Sequence, residues 1–295
     1  MFIRRLPKFE YHTVSSVKEA LELGSRYGGS SCFLAGGTDL LVNMKNRVCM
    51  PEHLISLGGI PEMKGISFNG NGELRVGALT TLSEIEHSDI VKEQFPALWD
   101  AVNVMASSQI RSLATIGGNL VSAVPSADSA PPLMVLNASL TIAGNGGEQT
   151  MPVGNLFTGP KQTCCMSGEI LVDIVIPKPE PFSGACYLKL MRRQAMDLAL
   201  VGVAAYIKLD GKEGRCKDAR VAFSAVAPTP IRVPEAENLL ADKTIDEALA
   251  DQAAKIAGNR CYPITDIRAS REYRCSMVEV LTKRAIVGAL QRISE

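Results

Sequence analysis

Three prolines within five residues, Pro177-Lys178-Pro179-Glu180-Pro181, constrain the fold of this chain more than any other feature. Each fixes φ and removes a backbone donor, so neither a regular helix nor a central strand can run through the segment. A domain boundary is expected there. The length of 295 residues agrees with two domains of roughly 150 residues each. With 46% hydrophobic and 21% charged residues, the chain can bury a large core.

Before the prolines the chain has two textures. Up to about residue 58, helical patterns alternate with short apolar runs. Ser16-Val17-Lys18-Glu19 fits a capping box, and Val17, Ala20, Leu21 and Tyr27 recur at helical spacing behind it. Cys32-Phe33-Leu34-Ala35 reads as a buried strand that stops at Gly36-Gly37. A second helix is expected from Thr38 as N-cap, with Asp39 at the positive end of the dipole and Leu40, Leu41 and Met44 facing inward. Residues 53–57 form another strand, and strands alternating with helices predict a small parallel sheet. From about residue 65, short alternating segments flank Asn69-Gly70-Asn71-Gly72 and predict antiparallel pairing. Helices are expected over 81–87 and 95–105, and a strand over 139–143. Beyond the prolines come strands over 185–190, 201–209 and 219–226, then helices. The last helix carries Val278, Leu281, Ala285, Ile286 and Leu290 on one face, with Lys283, Arg284 and Arg292 toward solvent. The fold class is α+β, with lobes at about 1–58 and 59–177 and a second domain at 182–295.

Charge and cysteine usage remove several function classes. Lys+Arg and Asp+Glu are both 31, so there is no global basic field for phosphate, and no nucleic-acid partner is expected. The apolar run at 198–207 is far shorter than the roughly 20 residues a membrane span requires. MFIRRLPKFEYH has arginines but no apolar stretch behind them, so a secretory leader is not expected and the cytoplasm is. The eight cysteines contain no Cys-x-x-Cys pair and no Cys/His grouping at zinc spacing, and free thiols are expected. Cys164-Cys165 reads as a loop or, with a strained ring, as a redox pair. His12, His53 and His87 stand apart in sequence, so no histidine metal site is expected.

Two glycine pairs carry the chemistry of the first half: Ala35-Gly36-Gly37-Thr38-Asp39 and Thr115-Ile116-Gly117-Gly118-Asn119. Glycine permits positive φ and close approach, so successive backbone N–H groups can converge on an anion. Either pair alone is a turn; together they suggest a diphosphate cradle. Neither a G-x-G-x-x-G after a strand nor a P-loop is present. Ser126-Ala127-Asp128 can cap the helix running to Leu136, or offer oxygens to a ribose or ribityl chain. Met191-Arg192-Arg193-Gln194-Ala195-Met196-Asp197 is a solvated loop or a cofactor or subunit contact. Ser15-x-x-Lys18 is explained by capping rather than by nucleophilic chemistry.

The strings LAGGTDLLVNMKNR, QIRSLATIGGNLVSAVPSADSAPPLMVLNASL, GEILVDIVIP, YLKLMRRQAMDLALVGVAA and AVAPTPIR resemble, in order and over nearly the full chain, the FAD-binding subunit of the molybdenum hydroxylases. The likeness is strongest to the FAD subunit of bacterial xanthine dehydrogenases, with carbon monoxide dehydrogenase medium subunits also similar. The resemblance implies a two-lobed FAD domain of the vanillyl-alcohol-oxidase type followed by a small C-terminal domain of antiparallel sheet and helices. It implies that Phe33, Leu34, Ala35, Gly36, Gly37, Thr38, Asp39 and Leu40, with Thr115, Ile116, Gly117, Gly118 and Asn119, bind the FAD pyrophosphate. By the same likeness Asp128 faces the sugar or ribityl region, beside the Ser126 already read as a candidate for it, and Leu171 and Lys189 contact the flavin, Lys189 stabilising its reduced anionic form. Met105-Ala106 stands where some relatives place an aromatic ring. The extra iron-sulfur loop of relatives that reduce aromatic acyl-CoA thioesters is missing.

The resemblance further implies an electron outlet with no catalytic side chain of its own. A molybdenum-cofactor large subunit would hydroxylate substrate. A small subunit would carry two [2Fe-2S] clusters, and electrons would leave FAD as hydride to NAD+ or pass to another acceptor. A carbon monoxide, aldehyde or nicotinate-type hydroxylase, a self-contained flavoenzyme and a structural subunit without flavin are the alternatives.

Overall fold

The structure, a computed structural model, describes residues 5–294; residues 1–4, part of the segment considered above as a leader, and Glu295 lie outside the described residues. The first lobe holds β1 (Glu10–Thr13), α1 (Val17–Tyr27), β2 (Ser31–Leu34), α2 (Leu40–Lys45) and β3 (His53–Ser56). Its sheet has the order β1-β3-β2 and both pairs are parallel, an arrangement that the helical crossovers between the strands make possible. At the start of α1, Ser16 Oγ accepts the Glu19 N–H at 3.2 Å, but the Glu19 carboxylate accepts from Ser15 N at 2.8 Å rather than from Ser16. Half of the expected capping box is therefore shifted by one residue. Thr38 is not the cap of α2: Asp39 occupies that position and makes no side-chain capping bond. Nor do His12 and His53 stand apart, because the β1–β3 pairing brings their rings together.

The second lobe contains β4 (Ile66–Phe68), β5 (Leu74–Gly77), α3 (Leu82–Glu86), α4 (Asp89–Gln94), α5 (Pro96–Asn103), α6 (Ser108–Arg111), α7 (Ile116–Val121) and α8 (Ala130–Val135). It continues with β6 (Ser139–Gly144), β7 (Gly147–Pro152), the hairpin of β8 (Phe157–Gly159) and β9 (Gln162–Thr163), and β10 (Ile170–Ile176). The main sheet runs β4-β5-β10-β6-β7 and is antiparallel. Its central strand β10 is an almost unbroken apolar run, the pattern of a strand covered on both faces.

Across the prolines, β11 (Ser183–Leu190), β12 (Val201–Leu209), β13 (Cys216–Ser224) and β14 (Ile231–Arg232) form an antiparallel sheet, followed by α9 (Pro234–Leu240), α10 (Glu247–Gly258) and α11 (Arg271–Ser294). Val203, Ala205 and Ile207 of β12 pack into a core with α9, α10 and α11. Ala204 and Tyr206, on the other face, belong with Tyr187 and Ala222 to the core of the first domain. One sheet thus closes two cores. The polar face of α11 is not simply solvated: Lys283 Nζ pairs with Glu247 at 2.8 Å and Asp251 at 3.0 Å. Arg292 Nη1 reaches Asp100 Oδ2 of α5 at 2.7 Å and the Ala185 carbonyl at 2.6 Å. Among the described residues no helix is long and apolar enough to cross a membrane.

Candidate functional site

A cleft of about 400 Å³ lies where residues 35–40 of the first lobe meet α7 and β10 of the second. Phe33, Ala35, Gly36, Gly37, Thr38, Asp39 and Leu40 line one wall, Thr115, Gly117, Gly118 and Asn119 another, and Leu171 the end of β10. Leu57, Met63, Ala78 and Leu79 complete the apolar surface together with Cys165 and Ile170. Sequence reasoning did not reach these, because sheet pairing and not local pattern carries them to the cleft.

The four glycines have different tasks. A Cβ on Gly36 would lie 1.9 Å from the Leu113 carbonyl oxygen, and one on Gly117 would lie 2.6 Å from the Ala78 Cβ. These two glycines permit close backbone contact between elements. Gly37 has φ +74°, a conformation that side chains other than glycine adopt rarely. A Cβ on Gly118 would meet only Thr115 Oγ1, at 3.0 Å, and otherwise enter the cleft.

Backbone donors divide the motifs further. In the second motif, Ile116 N–H donates to the Thr80 carbonyl at 3.0 Å, Gly117 N–H to the Ala78 carbonyl at 2.9 Å and Gly118 N–H to Thr115 Oγ1 at 3.1 Å. In the first motif, the N–H groups of Gly36, Gly37, Thr38 and Asp39 meet no acceptor among the described residues. A run of backbone donors without protein partners, partly buried at Gly36–Thr38 and exposed at Asp39, leaves N–H groups on a cleft wall free to meet an anion.

The other candidates fall elsewhere. Leu34 and Ile116 do not line the cleft, and Ile116 points into the core. Met105, Ala106, Ser126, Asp128 and Lys189 are also outside the lining. Asp128 accepts from Tyr187 Oη at 2.6 Å and from Lys189 Nζ at 2.8 Å, and Lys189 also donates to the Val104 carbonyl at 3.3 Å. The Lys189 side chain is 1% exposed. Burial raises the Asp128 carboxyl above its ordinary range, against the pull of Lys189 and Tyr187. Burial, then the Asp128 charge, pushes the Tyr187 phenol well up, so it keeps its proton and donates. Neither Ser126 nor Asp128 caps α8. Ser129 holds the cap position without a side-chain capping bond, and its Oγ is turned to Asn119 Oδ1 at 2.5 Å. The loop at 191–197 reaches the first domain through Met196 N–H, which donates to the Ala106 carbonyl at 3.1 Å.

Residues 7–179 match the family model described as the FAD binding domain in molybdopterin dehydrogenase, and residues 186–289 match the CO dehydrogenase flavoprotein C-terminal domain. This chain belongs to the FAD-binding medium subunits of the molybdenum hydroxylases. It is 31% identical to the xanthine dehydrogenase FAD-binding subunit of Escherichia coli O157:H7, over 95% of each chain. It is 33% identical to the carbon monoxide dehydrogenase medium chain of Hydrogenophaga pseudoflava, over 97% of this chain and 98% of that one. The solved carbon monoxide dehydrogenase from Hydrogenophaga pseudoflava superposes with a TM-score of 0.93 at 34% identity, covering 98% and 99% of the two chains. The residues of this cleft fit FAD in their chemistry: the donors at Gly36–Asp39 suit a diphosphate, Gly118 adds no side chain beside them, and Phe33, Leu57 and Leu171 are apolar walls that suit a ring system.

Proposed function

We propose that the chain is the electron outlet of a multi-subunit molybdenum hydroxylase of the xanthine dehydrogenase kind, holding FAD between its lobes. In that reading a small subunit with [2Fe-2S] clusters supplies electrons, a large subunit with the molybdenum cofactor oxidises substrate, and NAD+ is the acceptor. Bound flavin supplies interconversion between one- and two-electron transfer. The chain's own residues bind and orient. Gly36, Gly37, Thr38 and Asp39 would hold the diphosphate through their N–H groups, and Leu57, Met63, Leu79 and Leu171 would keep water from the adjoining space. Asp128, Tyr187 and Lys189 act at one remove, locking the C-terminal sheet onto the FAD domain.

The unpaired donors of the first glycine loop carry this reading. A second reading is favoured by the relatives: at 30–33% identity they include xanthine, carbon monoxide and glyceraldehyde dehydrogenases and a nicotine hydroxylase. Such breadth at similar identity supports the reading that substrate is chosen on another subunit, and the same outlet would then serve another hydroxylase. The test is an absorption spectrum of the purified chain with release of its chromophore, followed by anaerobic titration with NADH. Released FAD that NADH bleaches supports both parts. FAD that NADH leaves oxidised removes NAD+ as acceptor, and a chain that takes up no FAD removes the outlet reading.

A further inference from the structure

On the first lobe's sheet, apart from the cleft, β1 pairs in parallel with β3, setting Glu10 opposite His53 and His12 opposite Ile55. Glu10 and His12 are two residues apart on one strand and project from the same face. His12 Nε2 lies 3.1 Å from His53 Nδ1, and Glu10 Oε2 lies 3.4 Å from His53 Nδ1 and 3.9 Å from His12 Nε2. We propose that Glu10, His12 and His53 form a binding site for a divalent transition-metal ion of the zinc class.

The dimensions support this. Zinc bonds to imidazole nitrogen and carboxylate oxygen at about 2.0–2.2 Å, so two donors of a tetrahedral site lie about 3.3 Å apart. The three observed edges form a slightly open version of one face of that tetrahedron. The donor set also suits the ion, since imidazole binds zinc, nickel and copper well. Tyr27, at the end of α1, lies over both rings, with centroids 3.7 Å from His53 at 15° and 5.0 Å from His12 at 26°. It fixes their planes and shields one side. Three protein ligands leave a fourth position for water, reached past the exposed Glu10 carboxylate. In the metal-free chain one of the two close nitrogens supplies the hydrogen of their mutual bond. An entering ion takes its place, and that ring's hydrogen moves to its other nitrogen, so each imidazole binds through its lone pair and keeps one N–H. The ion would pin β1 to β3, which runs directly into Leu57 of the cleft wall.

The test uses the full FAD-containing chain, stripped with a chelator and titrated with Zn2+ by equilibrium dialysis and with Co2+ by difference absorption. The expected result is one Zn2+ per chain that Glu10→Gln weakens by about tenfold or more and His53→Gln abolishes. Co2+ should show ligand-field bands without sulfur charge-transfer bands, which separates this site from the eight cysteines. Because the Glu10 side chain is 72% exposed, Glu10→Gln leaves the fold intact whatever His53→Gln does. Unchanged Zn2+ uptake in Glu10→Gln, no uptake by the unaltered chain, or a Co2+ spectrum dominated by thiolate would each overturn the proposal.

Discussion

A methyl group at Gly118 and one at Gly36 would act differently although both residues line the same cleft. Gly118→Ala adds an atom that meets only Thr115 Oγ1, so the fold is expected to stay within a few tenths of a kcal/mol while FAD retention falls at least about tenfold. Gly36→Ala forces a Cβ onto the Leu113 carbonyl and is expected to cost several kcal/mol, by a named overpacking mechanism. Flavin stoichiometry and urea unfolding, measured on both, separate the two roles. Removing the ammonium in Lys189→Met leaves Asp128 buried with only Tyr187, and a loss of about 3–5 kcal/mol is expected near neutral pH. Burial already raises the Asp128 carboxyl, and without Lys189 its folded pKa rises further. The folded state then binds a proton more tightly than the unfolded one, so the variant's stability falls as pH rises. Urea midpoints should show a smaller deficit at pH 5 than at pH 8, and an equal deficit would mean that Asp128 is not the group left exposed to the change. The sequence made Asp128 and Lys189 visible as single candidates. Their bond was not legible, because 61 positions and a domain boundary separate them.

At the scale of elements, local chemistry was legible where a pattern and its partner lie within a few residues. The two textures before the prolines became a parallel and an antiparallel sheet. The central strand β10 was not read as a strand, although its apolar run carries that signal. Helix starts were less exact. Thr38 has cap chemistry, but its loop leaves the backbone donors unspent, so α2 begins one residue later without a side-chain cap. The last helix shows a second limit: periodicity separates apolar from polar faces, yet it does not tell a solvated cation from one that reaches another element. Arg292 joins α11 to α5 by gripping Asp100, which also accepts the Tyr187 N–H at 3.1 Å. Arg292→Ala is expected to lower stability by about 1–3 kcal/mol, as charged hydrogen bonds to a half-buried carboxylate do. A urea midpoint unchanged by the substitution would show the contact to be incidental.

For the whole molecule, the proline run suggested two separable domains, and residues 176–183 do carry the chain from β10 to β11. Composition could not show that the next sheet would lend one face back to the first core through Tyr187, Ala204, Tyr206 and Ala222. Calorimetry of the full chain is therefore expected to give one cooperative transition, and residues 182–295 expressed alone should expose that face and aggregate. Two resolved transitions, or a soluble and folded fragment, would contradict the shared sheet. This arrangement also imposes an order in time. A ribosome releases α5 and α8 well before it has made β11, β12 and β13, the strands that cover them. The FAD-binding half thus waits, with one side bare, for the last third of the chain. The packing of that bare side belongs after translation rather than during it.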